Sequence, residues 1–118
     1  MMEVRHLEVE VVRKDEAVVL HMKGEINGFA QEALAEAYEK AEGESPEAVV
    51  LDFTEVDYIN STGIALIVGL LAKARASGRR VIACGLSDHY VEIFTITRLS
   101  DFMSLVPDEE NAIREAAS

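Results

Sequence analysis

The sequence predicts an α/β protein: one domain over residues 1–118, with a mixed β-sheet flanked by about four helices. Three observations carry this. The runs AVVLDF and RRVIACG are apolar enough to be strands buried on both faces, which requires helices to cover the sheet around them. Stretches of helical character lie between the strand-like runs, an alternation that points to α/β layering. The chain has 118 residues, 49% of them hydrophobic, which suits one core, since single cores commonly serve about 100–150 residues.

The elements follow in order. LEVEVV alternates Leu7, Val9 and Val11 against Glu8 and Glu10, and the polar RKDE separates it from AVVLHMK, so the two read as a hairpin. After GEIN, residues 28–42 are rich in Ala and Glu, place Phe29, Leu34 and Tyr38 near helical spacing, and end before Ser45-Pro46. A strand is expected over 48–53, then a helix from about Thr62 to Ser77, stopped by Gly78. RRVIACG is the next strand. SDHYVEIFTIT opens with a capping-type Ser-Asp and offers Tyr90, Ile93 and Phe94 for packing. A short strand near FMSLV and a last helix from Asp108 complete the order β β α β α β α β α, with no internal repeat or low-complexity tract.

Composition narrows the function. Acidic residues outnumber basic ones 22 to 11, a formal charge of −11, which opposes binding to nucleic acid or anionic membranes. The apolar run over 64–71, interrupted by Gly69, is far short of the roughly 20 residues that span a bilayer. Residues 1–6 lack the features of a secretory signal, so a cytoplasmic location is expected. Cys84 is the only cysteine and reads as a small buried hydrophobe. Enzyme signatures are missing: there is no Gly-rich phosphate loop, no Gly-x-Ser-x-Gly, and CGLSDH lacks dinucleotide-turn spacing. No metal site is expected. His6, His21 and His89 show no ligand spacing, His21 alternates within a strand as a structural histidine would, and Asp52, Glu55 and Asp57 read as a solvated rim.

The stretch INSTGIALIVGLLAKARASG carries the functional signal. Asn60 and Ser61 are strong helix-capping residues, and the unpaired amides of a first turn, aided by the helix dipole, favour an anion. A phosphoryl group on a serine there would be tolerated without unfolding the helix. At 100° per residue, Ile64, Ile67, Leu70, Leu71 and Ala74 share a core face, with Val68 at its edge. Ala65, Gly69, Ala72, Lys73 and Ala76 lie opposite, with Leu66 at the margin, and form a flat, weakly charged face beside Ser61 and Thr62. The plainer reading is that Ser61 caps the helix and the small residues pack on a neighbouring one.

The stretch from VVLDF to ITRL resembles the STAS domains of bacterial anti-sigma factor antagonists, in which an acidic-ended strand leads to an Asp-Ser-Ser/Thr-Gly-Leu/Ile turn and a helix. MKGEIN is similar to that family's Gly-Glu-Leu/Ile-Asp turn, and IFTITRL to its Leu-Phe-x-x-x-Gly-Leu segment. The resemblance implies that Ser61 is phosphorylated by an anti-sigma factor serine kinase, which carries the Mg-ATP, the chain holding no cofactor of its own. It implies that the unphosphorylated form binds that kinase and releases a sigma factor. With the helix face added, the expected contact set is Asn27, Asn60, Ser61, Thr62, Gly63, Ala65, Leu66, Gly69, Ala72 and Lys73. A phosphatase and other STAS proteins are further candidate partners. Asn27 and Asn60 stand where the family usually has Asp, and Arg98 where it commonly has Gly. The alternatives are a constitutive scaffold or sensory module without phosphate control and, in another class, a nucleotide-binding enzyme.

Overall fold

The computed structural model describes residues 6–118. Strand β1 (Glu8–Lys14) forms an antiparallel hairpin with β2 (Ala17–Ile26). A 3-10 turn (Gly28–Ala30) leads into α1 (Gln31–Gly43), followed by β3 (Ala48–Ile59), α2 (Ser61–Ala76), β4 (Arg80–Cys84), α3 (Asp88–Ile96), a second 3-10 turn (Leu99–Asp101), β5 (Ser104–Val106) and α4 (Glu109–Ala116). The sheet order is β1-β2-β3-β4-β5, with every pair after the hairpin parallel. The mixed sheet with four flanking helices is thus the architecture expected from the apolar runs.

The period-2 alternation of the strands sorts their side chains into two cores. On one face Val18, Leu20, Met22, Val49, Leu51, Phe53, Val81 and Ala83 pack against α1, α2 and α3. Phe94 is fully buried there and meets Phe53 edge-on at 5.7 Å between ring centroids. On the other face Val19, Val50 and Ile82 receive, among the described residues, α4 alone, through Ala112 and Ala116. Cys84 is buried on this second face. Burial first, then the charges of Asp52 and Glu109, push its thiol up to about 12, so it stays protonated at neutral pH.

Three expectations are corrected. Phe29 does not join the α1 core: it sits in the 3-10 turn and is 76% exposed, because the α-helix begins only at Gln31. Val68 is exposed rather than at the edge of the buried face. And β3 runs well past Phe53, to Ile59, because Glu55 and Val56 pair with Lys23 and Gly24 of β2 after one register shift, and Tyr58 and Ile59 with Glu25 and Ile26 after a second. That extension lies past the end of the β4 pairing, so its faces are more open and its sequence TEVDY is correspondingly polar.

Candidate functional site

The ends of β2 and β3 lie side by side, Ile26 opposite Ile59, which makes the two turns that follow them neighbours. Each opens with asparagine acting as a cap. The Asn27 side-chain oxygen accepts from Phe29 N at 2.9 Å, while its amide donates to Glu25 at 3.3 Å. Asn60 holds the entrance of α2: its side-chain oxygen accepts from Gly63 N at 2.8 Å, its carbonyl from Ile64 N at 2.9 Å, and its own N–H donates to Ile26 O at 3.2 Å. Tyr90 of α3 steadies the preceding residue, its phenol oxygen accepting from Ile59 N at 2.8 Å and its hydrogen directed at Ile59 O at 3.4 Å.

Gly63 lets the entrance sit this close. A Cβ on it would stand 1.9 Å from Ile26 O, a backbone atom that cannot step aside, so the residue is buried and reserved for packing. Its inclusion in a contact surface therefore works through shape, as the residue that seats the helix, rather than through exposure.

Because Asn60 serves as cap, Ser61 does not. Ser61 and Thr62 are exposed at the start of the helix, and neither hydroxyl has a hydrogen-bond partner among the described residues. Their amides, lying in the first turn, have no intrahelical acceptor. Thr62 lies over the neighbouring turn, its methyl 3.5 Å from where a Cβ on Gly28 would be. The exposed ring of Phe29 belongs to that turn, and sequence spacing missed it by assigning Phe29 to the helix core; the Gly28 preceding it was the available clue to a turn.

The small-residue face of α2 is solvent-facing but divided. Ala65, Leu66, Gly69 and Lys73 line a shallow groove of about 230 Å³ against Gln31, Leu34, Ala35 and Tyr38 of α1. Ala72 turns the other way, into a groove of about 670 Å³ with Val68, Leu71, Arg75, Leu99 and Phe102. Leu66 packs partly on the core, as its marginal position on the wheel suggests. Gly69 has no atom within 4 Å of a Cβ built on it. No described residue requires a glycine there.

A second cluster of polar groups lies on the opposite, α4-bearing face of the sheet. His21, Asp52 and Glu109 converge there, with Glu10 beside the histidine. Partial burial works against charge on His21, but Glu109, Asp52 and Glu10 outweigh it and raise the imidazole above its ordinary 6.5. In the sequence His21 and Asp52 read as unrelated positions, and Glu109 carries no spacing that links it to either.

The fold and the helix entrance together define an α/β module that presents a capped, solvent-facing hydroxyl pair at the carboxyl end of a parallel strand pair. The model of the STAS domain matches residues 8–112, and the chain belongs to that family. It is similar to the anti-sigma-B factor antagonist of Listeria monocytogenes, with 29% identity over 101 residues that cover 85% of this chain and 89% of the relative. Among solved structures it resembles an anti-sigma factor antagonist from Mycobacterium paratuberculosis, with a TM-score of 0.76, 24% identity and 95% of each chain covered. It also resembles the Bacillus cell fate determinant SpoIIAA in its phosphorylated form, with a TM-score of 0.69, 22% identity, and 91% of this chain and 97% of that one covered. Among the described residues no helix is long and apolar enough to cross a membrane.

Proposed function

We propose that this chain is an anti-sigma factor antagonist that acts by binding rather than catalysis. Unphosphorylated, it engages an anti-sigma factor serine kinase through the entrance and exposed face of α2, and phosphorylation of Ser61 weakens that contact. The observation that carries the reading is the division of labour between Asn60 and Ser61. Asn60 satisfies the helix end, which leaves the Ser61 hydroxyl exposed, without a hydrogen-bond partner among the described residues, and open to modification without undoing the cap. Two further facts support it: the antagonist names of its relatives and structural neighbours, among them SpoIIAA, solved in both unphosphorylated and phosphorylated forms, and Gly69, a glycine that no described residue requires.

Added negative charge at Ser61 meets a favourable helix end, worth about 0.3–1 kcal/mol, and so is read by a partner rather than by the fold. The test is incubation with the cognate kinase and Mg-ATP followed by mass spectrometry, then titration of variants against the kinase. Modification falls on Ser61; Ser61→Asp and Ala72→Glu bind more weakly than the parent; Ser61→Ala binds but escapes regulation. Modification confined to Thr62, or parent-like binding by both charged variants, rejects the proposal.

A second reading, a constitutive scaffold that assembles with other STAS proteins, is favoured by one observation. Asn27 and Asn60 spend their side-chain oxygens on caps and contribute no carboxylate beside Ser61. Kinase treatment that leaves Ser61 unmodified, together with stable association with a second STAS protein, would select it.

A further inference from the structure

Strand register places Glu10, His21, Asp52 and Cys84 in one lateral row across β1, β2, β3 and β4, with Glu10 opposite His21, His21 opposite Asp52, and Asp52 opposite Cys84. The first turn of α4 brings Glu109 over that row. One ligand-type atom each from His21, Asp52 and Glu109 then lies within 4.8 Å of the others.

The second atom of every one of these groups is already engaged. His21 Nδ1 faces Glu10 at 3.6 Å. Asp52 Oδ1 accepts from Thr54 N at 3.0 Å and from Thr54 Oγ1 at 2.6 Å. Glu109 Oε2 accepts from Lys14 Nζ at 3.1 Å. What remains is His21 Nε2, Asp52 Oδ2 and Glu109 Oε1, and these are the atoms that face one another. Outer partners that fix each ligand's orientation and leave one lone pair converging are the usual surroundings of a metal centre.

We propose that His21, Asp52 and Glu109 form a binding site for a divalent transition-metal ion of the zinc class. One imidazole and two carboxylates suit a borderline ion, and the two negative charges balance its two positive ones. A tetrahedral ion needs donors roughly 3.3 Å apart at bond lengths of about 2.0–2.2 Å, so His21 and Glu109, now in direct contact, part by small rotations while Asp52, 3.7 Å from the imidazole, moves in. The ion replaces the proton that otherwise lets the imidazole bridge the carboxylates. Three protein ligands leave a position open toward the adjoining cavity of about 560 Å³, which Glu8, Lys23, Thr54 and Glu55 help to line. Because the ligands come from β2, β3 and α4, the ion adds a further tie between α4 and a sheet face that the helix also holds by Ala112, Ala116 and Ile113, by the Lys14–Glu109 pair and by Arg80 donating to its last carbonyls. This site is independent of Ser61 and of the kinase reading.

The test is calorimetric titration of the full chain with zinc chloride at neutral pH, with thermal melts alongside. One saturable site is expected in the parent. Affinity falls at least about tenfold in His21→Gln and in Glu109→Gln, and about tenfold in Thr54→Val, which removes only an outer partner. His89→Gln, far from the cluster, binds like the parent. Zinc raises the melting temperature of the parent but not of Glu109→Gln, an α4 surface change that leaves the Asp108 cap and the buried alanines in place. Absence of saturable binding overturns the proposal. So does uptake that is equal in all variants, which would be the general attraction of a chain carrying a charge of −11.

Discussion

The two ends of α2 and its middle are built from similar small residues yet live under opposite constraints. At the entrance, Asn60, Gly63 and the Tyr90 phenol fix the first turn against Ile26 and Ile59. At the exit, Ser77 Oγ and Arg79 Nε both donate to Glu42 of α1, at 3.1 and 2.5 Å, and Arg79 also reaches Pro46 O. Between them Ala65, Gly69 and Ala72 are exposed and line only open grooves, and a Cβ on Gly69 would meet no described atom within 4 Å. A helix pinned at both ends and exposed along its outward middle is a rigid presentation surface. Its rigidity costs the docking partner no ordering entropy.

The sharpest test of that contrast is Gly63→Ala. The new methyl collides with backbone, so a loss of about 3 kcal/mol, at the upper end of overpacking effects, is expected in a urea melt. Next comes Tyr90→Phe, which strips the Ile59 amide of its acceptor and costs about 1–3 kcal/mol, read as a lower denaturation midpoint. An unchanged midpoint would mean the entrance is not held from α3.

At the exit the effect is smaller and depends on pH. Partial burial of Glu42 opposes its charge, but hydrogen bonds from Arg79, Tyr38 and Ser77 prevail and hold the carboxyl below its ordinary 4.5. A depressed carboxylate contributes stability above the unfolded value and loses it as pH falls through the folded one. Glu42→Gln should therefore cost about 1 kcal/mol at pH 7, with partial exposure keeping it modest. The gap between variant and parent should close on acidification below 4.5. A gap that persists in acid would assign the effect to packing.

The smallest effect has the opposite sign. Gly69→Ala meets open space and gains helix propensity, so the free protein should be stabilised by about 0.5–1 kcal/mol, seen as a rise of a few degrees in melting temperature. The same variant should bind the kinase less well, because the glycine's remaining use is close approach by a partner. Destabilisation would show that the space beside Gly69 is not open.

Much of this was legible beforehand because it is local. The apolar runs of β3 and β4, the core stripe of Ile67, Leu70, Leu71 and Ala74, and the capping chemistry around Asn60 depend on neighbours within a few residues, and all stand where periodicity put them. The motifs around Ser61 likewise announced the family, because a turn that presents a hydroxyl at a helix entrance is written in consecutive letters.

Phe29 was misplaced for the complementary reason: its helical spacing was real, but a 3-10 turn set by the neighbouring β2–β3 ends intervened and turned the ring outward. Gly63 and Gly69 are indistinguishable as letters in one helix, and only the approach of Ile26 O separates a glycine the fold demands from one it merely tolerates. The meeting of His21, Asp52 and Glu109 is still more remote, joining positions 88 residues apart in the case of His21 and Glu109. Local sequence determined which segments became strands and helices, because propensity and periodicity act over a few residues. Which atoms then face each other across the sheet was decided by strand register and by the landing point of α4, and both follow from packing the whole chain at once.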